Sequence, residues 1–244
     1  MRINRIFHPD DLSTEQEIEL SSQAAVHLVR VLRSKTGTDI ILFNGDGNEY
    51  TASISRIERK RVWVNISASK VVVNESPLNI TLVQGISRPE RMDYTLQKAV
   101  ELGVTAIIPL FTERCSVQLK AERIEKRLKH WQGIIISACE QSGRARIPEI
   151  CSPLAFNTWL TSIDHKQTCL TLQPDATNSL QTIGSPEKNI MLLVGPEGGL
   201  SPIETDAVTE QGFQAVRLGP RVLRTETAAL VAMSIIQSRW GDLG

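Results

Sequence analysis

Two short segments near the C-terminus have the residue types of a ligand-binding loop. Residues 195–202 read Gly-Pro-Glu-Gly-Gly-Leu-Ser-Pro, and residues 218–227 read Leu-Gly-Pro-Arg-Val-Leu-Arg-Thr-Glu-Thr. Glycine lets a backbone approach a ligand closely, and the apolar side chains of Leu218, Val222 and Leu223 suit a flat ring such as adenine. Each segment alone is also compatible with a tight strand-to-helix connection that binds nothing. Two such segments after neighbouring strands favour a ligand site.

The glycine spacing argues against the common phosphate-binding loops. Neither segment contains GxGxxG, the fingerprint of dinucleotide binding, or GxxxxGK[ST], the fingerprint of the P-loop. The ligand predicted from these residues is therefore something other than a pyrophosphate.

The elements that position these loops are strands alternating with helices, which predicts a largely parallel sheet covered on both faces. In such a sheet ligands bind beyond the carboxyl ends of the strands, where both loops lie. Ser201 and Pro202 are typical of an N-cap and a first helical residue. The predicted strands are 78–83, 104–110, 169–172, 189–194 and 213–216, and the predicted helices are 92–102, 121–142, 202–211 and 225–240.

The first 70 or so residues predict a small domain of short strands with one helix. The turn at residues 44–48 reads Asn-Gly-Asp-Gly-Asn, a hairpin signal because these residues tolerate positive φ. Closing such a sheet into a compact barrel would remove its exposed edges. The predicted elements are a helix at 24–32, strands at 39–43, 50–57 and 62–66, and a polar linker at 70–77.

Composition limits the partners and the compartment. The 27 Lys and Arg residues balance the 27 Asp and Glu residues, so any nucleic-acid contact must come from a local cluster. One cluster, at a predicted hairpin end, is either a solvated turn or a phosphate contact. With no signal core and no apolar run near about 18 residues, we expect a soluble, cytoplasmic protein without a membrane span. The cluster consists of Arg56, Arg59, Lys60 and Arg61.

The cysteines and histidines show no metal-binding or disulfide pattern. They are scattered, without CxxC or Cys/His ligand spacing, so we expect buried or incidental thiols and no metal. These residues are Cys115, Cys139, Cys151, Cys169, His8, His27, His130 and His165.

Taken together, the two glycine–proline segments resemble the SPOUT, or trefoil-knot, methyltransferases, and specifically the small-subunit ribosomal RNA uridine N3-methyltransferases. The motif is Gly-Pro-Glu-Gly-Gly at 195–199, followed about twenty residues later by Leu-Gly-Pro-Arg-Val-Leu-Arg-Thr-Glu-Thr-Ala. The resemblance covers almost the whole chain. Further matching segments are 5–7, 27–33, 97–104 and 140–144.

The resemblance implies an α/β fold with a C-terminal trefoil-knot domain at 73–244, and an N-terminal PUA-like β-barrel at 1–72 that helps to hold RNA. It implies S-adenosylmethionine as cofactor, 16S ribosomal RNA of the small subunit as substrate, a homodimer, and no metal. The cofactor-binding residues would be Leu172, Gly195, Pro196, Glu197, Gly198, Gly199, Leu218, Gly219, Pro220, Val222 and Leu223.

Methylation of uracil N3 requires loss of the N3 proton, and the resulting anion is stabilised by a nearby cation. We expect Glu197 to act as acid/base or positioning group, and Arg224 or Arg114 as anion stabiliser or phosphate contact. Alternatively, Glu197 caps the following helix, and Arg224 pairs with Glu197 or Glu226. The arginines expected to contact RNA are Arg5, Arg30, Arg33, Arg88, Arg91 and Arg144.

Two other classes of function stay open at this point. One is a non-catalytic RNA-binding or ribosome-assembly protein, which would bind RNA in a salt-sensitive way without a cofactor. The other is an α/β enzyme that uses ATP or NAD, although the fingerprints of such enzymes are missing from this sequence.

Overall fold

The computed structural model describes residues 3–117, 121–164 and 166–244. These residues form two compact units. The first consists of the described residues up to Glu75 together with Cys139–Ile147, and the second consists of Ser76–Ala138 and Pro148–Gly244. The domain boundary predicted at residue 72 stays a prediction. His165, one of the histidines named above, lies outside the described residues.

The first unit is built on a five-stranded sheet. Its strands are β1 (Asn4–Phe7), β2 (Glu17–Glu19), β3 (Asp39–Phe43), β4 (Asn48–Glu58) and β5 (Arg61–Val71). The order is β1-β3-β4-β5-β2, in which β1 and β3 are parallel and the other neighbours antiparallel. The predicted hairpin joins β3 to β4, and Gly45 and Gly47 there adopt φ values of 99° and 95°, a region that favours glycine.

The helix predicted at 24–32 begins as α1 (Ser22–Val26) and continues as one turn of π-helix over His27–Val31. Ser21 Oγ accepts a hydrogen bond from Ala24 N at 3.2 Å, as an N-cap does. The segment buries Leu28 in the core but leaves Val31 exposed. Single π-turns are rare and are frequently found at functional sites, so this segment is a candidate contact surface.

Arg5 and Arg144, both expected to contact RNA, are buried in the first unit, with side chains 7% and 6% exposed. Arg5 forms an ion pair with Glu49 and donates to the carbonyl oxygen of Arg144 at 3.1 Å. The Arg144 guanidinium binds both carboxylate oxygens of Glu75. The two arginines therefore hold residues 139–147 against the sheet, and neither guanidinium is presented to a partner in this conformation.

The second unit contains a seven-stranded sheet in which every pair of neighbours is parallel. Its strands are β6 (Asn79–Gly85), β7 (Val104–Phe111), β8 (Glu149–Ile150), β9 (Leu154–Ala155), β10 (Thr168–Leu172), β11 (Asn189–Val194) and β12 (Gln214–Val216). Its helices are α2 (Pro89–Glu101), α3 (Ala121–Ser142, which continues into the first unit), α4 (Phe156–Leu160), α5 (Pro202–Glu210) and α6 (Thr225–Trp240), with a short 3-10 turn at Leu180–Thr182. The predicted α/β class with a parallel sheet is confirmed. Sequence patterns did not predict the short elements β8, β9 and α4.

Between β12 and α6 the chain crosses the carboxyl ends of the sheet. The strand order is β12-β10-β11-β6-β7-β8, so β12 lies at an edge. Thr225, at the start of α6, lies against the ends of β11 and β6, because its Oγ1 donates to Gly195 O at 2.6 Å and accepts from Gln84 Nε2 at 2.9 Å. Residues 217–224 therefore pass over the ends of β10 and β11.

A substitution tests whether Arg144 stabilises the first unit, as its buried ion pair indicates, instead of contacting RNA. Arg144→Ala should lower the free energy of unfolding of this unit by about 3 kcal/mol, because it leaves Glu75 without its buried cation. The measurement is urea-dependent hydrogen exchange of the β4 and β5 amides. Arg30→Ala, which removes an exposed arginine, is the matched control. Unchanged protection in Arg144→Ala would contradict the structural role.

Candidate active site

The loops that follow β10, β11 and β12 enclose a cavity of about 750 Å³ in the second unit, within the size range of small-molecule sites. The structure brings most of the predicted site residues together in its wall. These are Leu172, Gly195, Pro196, Glu197, Gly198, Gly199, Leu218, Gly219, Val222 and Leu223, with Arg114 and Arg224. Pro220 is not among the lining residues, whereas Arg91, which we expected to contact RNA, is.

Glycines are required in the loop 195–199 because its backbone packs against neighbouring backbone. A Cβ on Gly195 would lie 3.0 Å from Gly199 C and from Leu200 N, and one on Gly198 would lie 3.0 Å from Arg114 Cβ. Gly199 has a φ of 69°, which a side chain would strain. The loop's own packing thus demands the glycines, in addition to any close approach of a ligand.

Gly85, at the end of β6, is a site residue that sequence analysis missed. A Cβ there would lie 2.5 Å from both the nitrogen and the Cδ of Pro196. The loop 195–199 can therefore reach its position only because residue 85 has no side chain. The available signal was a glycine directly after the buried strand residues Val83 and Gln84.

A capping box fixes the far end of this loop, confirming Ser201 as the N-cap of α5. Ser201 Oγ accepts from Glu204 N at 3.3 Å, and the buried Glu204 carboxylate accepts from Ser201 N at 2.9 Å and from Glu113 N at 2.8 Å. Arg114, the next residue, donates from Nη1 to Gly198 O at 3.2 Å. Glu204 thereby ties the segment after β7 to the cavity loop and places Arg114 at the wall.

Glu197 binds the start of a different helix from the one that follows it. Its Oε1 accepts from the backbone nitrogen of Arg88, the N-cap of α2, at 2.9 Å and lies 3.3 Å from Arg91 Nη1. Capping of α5 by Glu197 was therefore the wrong alternative, because Ser201 and Glu204 perform it. Arg91 also occupies the place proposed for Arg224 as an ion-pair partner. Within the described ranges the Arg224 guanidinium forms no ion pair, and it is exposed at the cavity.

Cys115, close to Glu197, is a hydrogen-bond donor and not a nucleophile. Its Sγ donates to Ile86 O at 3.0 Å. Burial raises the pKa of the Cys115 thiol, and the negative charge of Glu197 adds to this rise. Burial also raises the pKa of Cys139, to about 12. Since the thiolate is the reactive form, neither thiol is activated.

The remaining charged residues differ in what they present to a partner. Arg30, Arg33 and Arg88 are exposed. In the cluster at the β4–β5 turn, Arg56 pairs with Glu17 and Glu58, and Arg61 pairs with Glu19. Because these ion pairs neutralise Arg56 and Arg61 within the sheet, they favour a solvated turn over a phosphate contact for both residues.

Among the residues described, no three His, Cys, Asp or Glu side chains come together as a metal-binding group. In that part of the chain, none of the helices has the length and apolar character needed to cross a membrane.

Comparison with known families adds an independent observation. Residues 74–237 match the model of an RNA methyltransferase domain, and residues 20–67 match that of an RNA methyltransferase PUA domain. Curated relatives are similar along their whole length. One is the ribosomal RNA small subunit methyltransferase E of Buchnera aphidicola subsp. Schizaphis graminum, 37% identical, with 99% of this chain and 98% of the relative covered. The protein of the same name from Mycobacterium bovis is 31% identical, with 96% and 93% covered.

Solved structures agree with this similarity. A ribosomal RNA small subunit methyltransferase E from Neisseria gonorrhoeae, bound to S-adenosylmethionine, is 43% identical with a TM-score of 0.93. A methyltransferase from Legionella pneumophila, in complex with S-adenosylmethionine, is 42% identical with a TM-score of 0.96. Both comparisons cover 100% of each chain.

The packing around Gly85 generates a prediction about the cavity. Gly85→Ala should push Pro196 away and weaken binding of S-adenosylmethionine, the cofactor that the resemblance implies, by about 10-fold or more, because a misplaced loop loses its backbone contacts. Isothermal titration calorimetry measures the change. Gly133→Ala is the matched control, since a Cβ at Gly133 meets nothing within 4 Å. Equal affinity in both variants would remove Gly85 from the site.

Proposed function

This chain belongs to the RNA methyltransferases named ribosomal RNA small subunit methyltransferase E, and on that premise we propose that it methylates N3 of a uridine in 16S ribosomal RNA, with S-adenosylmethionine as methyl donor. The observation that carries this proposal is the cavity of about 750 Å³, because it gathers the two glycine–proline loops beside a carboxylate and exposed guanidinium groups.

The cavity wall fits the proposed cofactor. Leu172, Leu218 and Leu223 provide apolar surface for the adenine ring, while the glycine-rich loop offers backbone polar groups. Gln173 adds a buried Nε2 that has no hydrogen-bond partner among the described residues, so a ligand acceptor would satisfy it. When bound, the cofactor supplies a methyl group activated by its positively charged sulfur.

Glu197 is the proposed proton acceptor. Its Oε1 is held by Arg88 N and Arg91, whereas its Oε2 has no hydrogen-bond partner in the described part of the chain. A uridine placed at the cavity transfers its N3 proton to the Glu197 carboxylate, whose side chain is 20% exposed, as the methyl group arrives. Arg224, exposed at the same cavity, stabilises the negative charge that develops on the uracil carbonyl oxygens.

The exposed segment after α1 is the proposed RNA contact of the first unit. Residues 20–38 contain Arg30, Arg33 and Lys35 but no acidic residue, although the whole chain is neutral. Val31 is 65% exposed beside these cations and offers apolar surface to an unstacked base or a ribose. In the second unit, Arg88 and the exposed Arg221, which sequence analysis did not single out, are proposed to contact phosphate.

We further propose that the protein acts as a cytoplasmic homodimer on the small ribosomal subunit. The family resemblance supports the dimer and the cytoplasmic location. Val222 lines the cavity yet is 80% exposed, and Ile203 on α5 is 76% exposed, which supports completion of the site by a second copy.

A ligand screen separates this proposal from the two other classes. S-adenosylmethionine at about 100 times its dissociation constant should stabilise the folded state by about 2.7 kcal/mol, because it binds only that state. ATP and NAD should leave the melting temperature unchanged. The measurement is a thermal-shift assay of the whole chain. Stabilisation by ATP or NAD alone would favour a nucleotide-using enzyme, and RNA binding without any cofactor effect would favour a non-catalytic RNA-binding protein.

Substitution of Glu197 and Arg224 tests the proposed chemistry. Glu197→Gln keeps an oxygen for Arg88 N but removes the proton acceptor, and Arg224→Ala removes the anion stabiliser. Each should reduce methyl transfer by about 100-fold while changing cofactor affinity little. Turnover is measured with tritiated S-adenosylmethionine on small subunits from cells that lack the gene, with the exposed Glu210→Gln as control. Wild-type turnover in both variants would disprove the mechanism.

A further inference from the structure

Three charged residues from different elements meet beside the cavity. Arg91 comes from the first turn of α2, Glu197 from the loop after β11, and Glu226 from the first turn of α6. Arg91 Nη1 lies 3.3 Å from Glu197 Oε1, and Arg91 Nε lies 3.9 Å from Glu226 Oε1. The side chains are 28%, 20% and 14% exposed, respectively, so water screens this group only partly.

The group holds two carboxylates but only one cation. In the described part of the chain, Arg91 is the ion-pair partner of both Glu197 and Glu226, and no other cation pairs with either. Oε2 of each glutamate is buried without a hydrogen-bond partner among the same residues. Removing Arg91 would therefore leave two neighbouring negative charges uncompensated.

The first turn of α2 determines where the Glu197 carboxylate points. Arg88 N and Arg91 Nη1 both approach the same oxygen, Oε1, at 2.9 and 3.3 Å. Arg91 N also donates to Arg88 O at 3.0 Å, which keeps both donors on one helical turn. Two donors on Oε1 fix the orientation of the carboxylate, whose Oε2 is buried.

We propose that Arg91 is a positioning residue for methyl transfer: it holds the Glu197 carboxylate at the cavity wall, and Glu226 in turn holds Arg91. This inference rests on the proposed function, in which Glu197 accepts the uracil proton. Glu226 then belongs to the same set of interacting side chains as Arg91 and Glu197, although it does not line the cavity. Arg91 acts through Glu197 and needs no contact with RNA.

The role predicts how the two glutamates respond to the loss of Arg91. In Arg91→Ala the carboxylates of Glu197 and Glu226 lack their shared cation and repel each other, so Glu197 is no longer held at the cavity wall. Adding Glu226→Gln to Arg91→Ala removes the second negative charge and should recover part of the lost kcat.

The experiment compares kcat and KM of Arg91→Ala, Arg91→Lys, the double variant Arg91→Ala/Glu226→Gln, and the control Lys98→Ala. Lys98 lies on the same helix, and its substitution removes one ion pair, to Glu101, away from the cavity. Arg91→Ala should lower kcat by about 10-fold or more with little change in the KM for RNA, because positioning acts on the chemical step. Arg91→Lys, which keeps the charge but not the planar fork, should recover most of kcat.

The outcomes separate this proposal from the function on which it rests. A wild-type protein without methyl transfer to small subunits would overturn both. With an active wild type, an Arg91→Ala variant that has a wild-type kcat would overturn the positioning role alone. So would a rise in the KM for RNA at constant kcat, because it would make Arg91 an RNA contact. If Arg91→Ala does not fold, Arg91→Lys decides: it should keep most of kcat at an unchanged KM for RNA, and a loss of kcat of about 10-fold or a higher KM would contradict the proposal.

Discussion

The close approach of the loop 195–199 to the end of β6 is the constraint on which the rest of the site depends. Pro196 packs against Gly85, in the space that a side chain at residue 85 would occupy. The Gly195 carbonyl oxygen accepts a hydrogen bond from the Thr225 hydroxyl. These contacts join the ends of β6 and β11 to the start of α6. Three segments distant in the chain meet here, so a methyl group at residue 85 would displace the loop that contacts both β6 and α6.

Charge in this protein is used locally. The neutral chain gives no long-range attraction to a polyanion, and several of its arginines stabilise the fold instead of presenting charge. Arg5 and Arg144 are buried in ion pairs of the first unit, and Arg91 is paired within the second. The exposed cations available to RNA therefore include Arg30, Arg33, Arg88, Arg221 and Arg224. A substrate recognised by shape at a few contacts suits this distribution better than one attracted by net charge.

In the proposed reaction, different residue types of the two glycine–proline loops contact the cofactor and the base. Their glycines and leucines form the surface that suits the cofactor, through backbone and apolar contacts. Glu197 and Arg224, the charged residues of these loops that are proposed to act on the base, differ in how they are held. Glu197 is fixed by two donors on α2, as a group that must accept a proton at a defined place requires. Arg224 is exposed, as suits a cation that becomes ordered only when the substrate binds.

The sequence alone determined the class of fold, the order of its main elements and the two loops that line the cavity. Strand 189–194 and helix 225–240 were predicted with the bounds that the structure shows, because apolar periodicity and caps are local properties of a chain. The sequence could not show that Arg91, and not Arg224, pairs with Glu197, that Arg144 is buried, or that Gly85 is part of the site. These features depend on contacts between residues that are far apart in the chain, such as Arg88 N with Glu197, which are 109 positions apart. Only the tertiary structure decides such contacts, because they are made when the sheet brings the ends of distant strands to one edge.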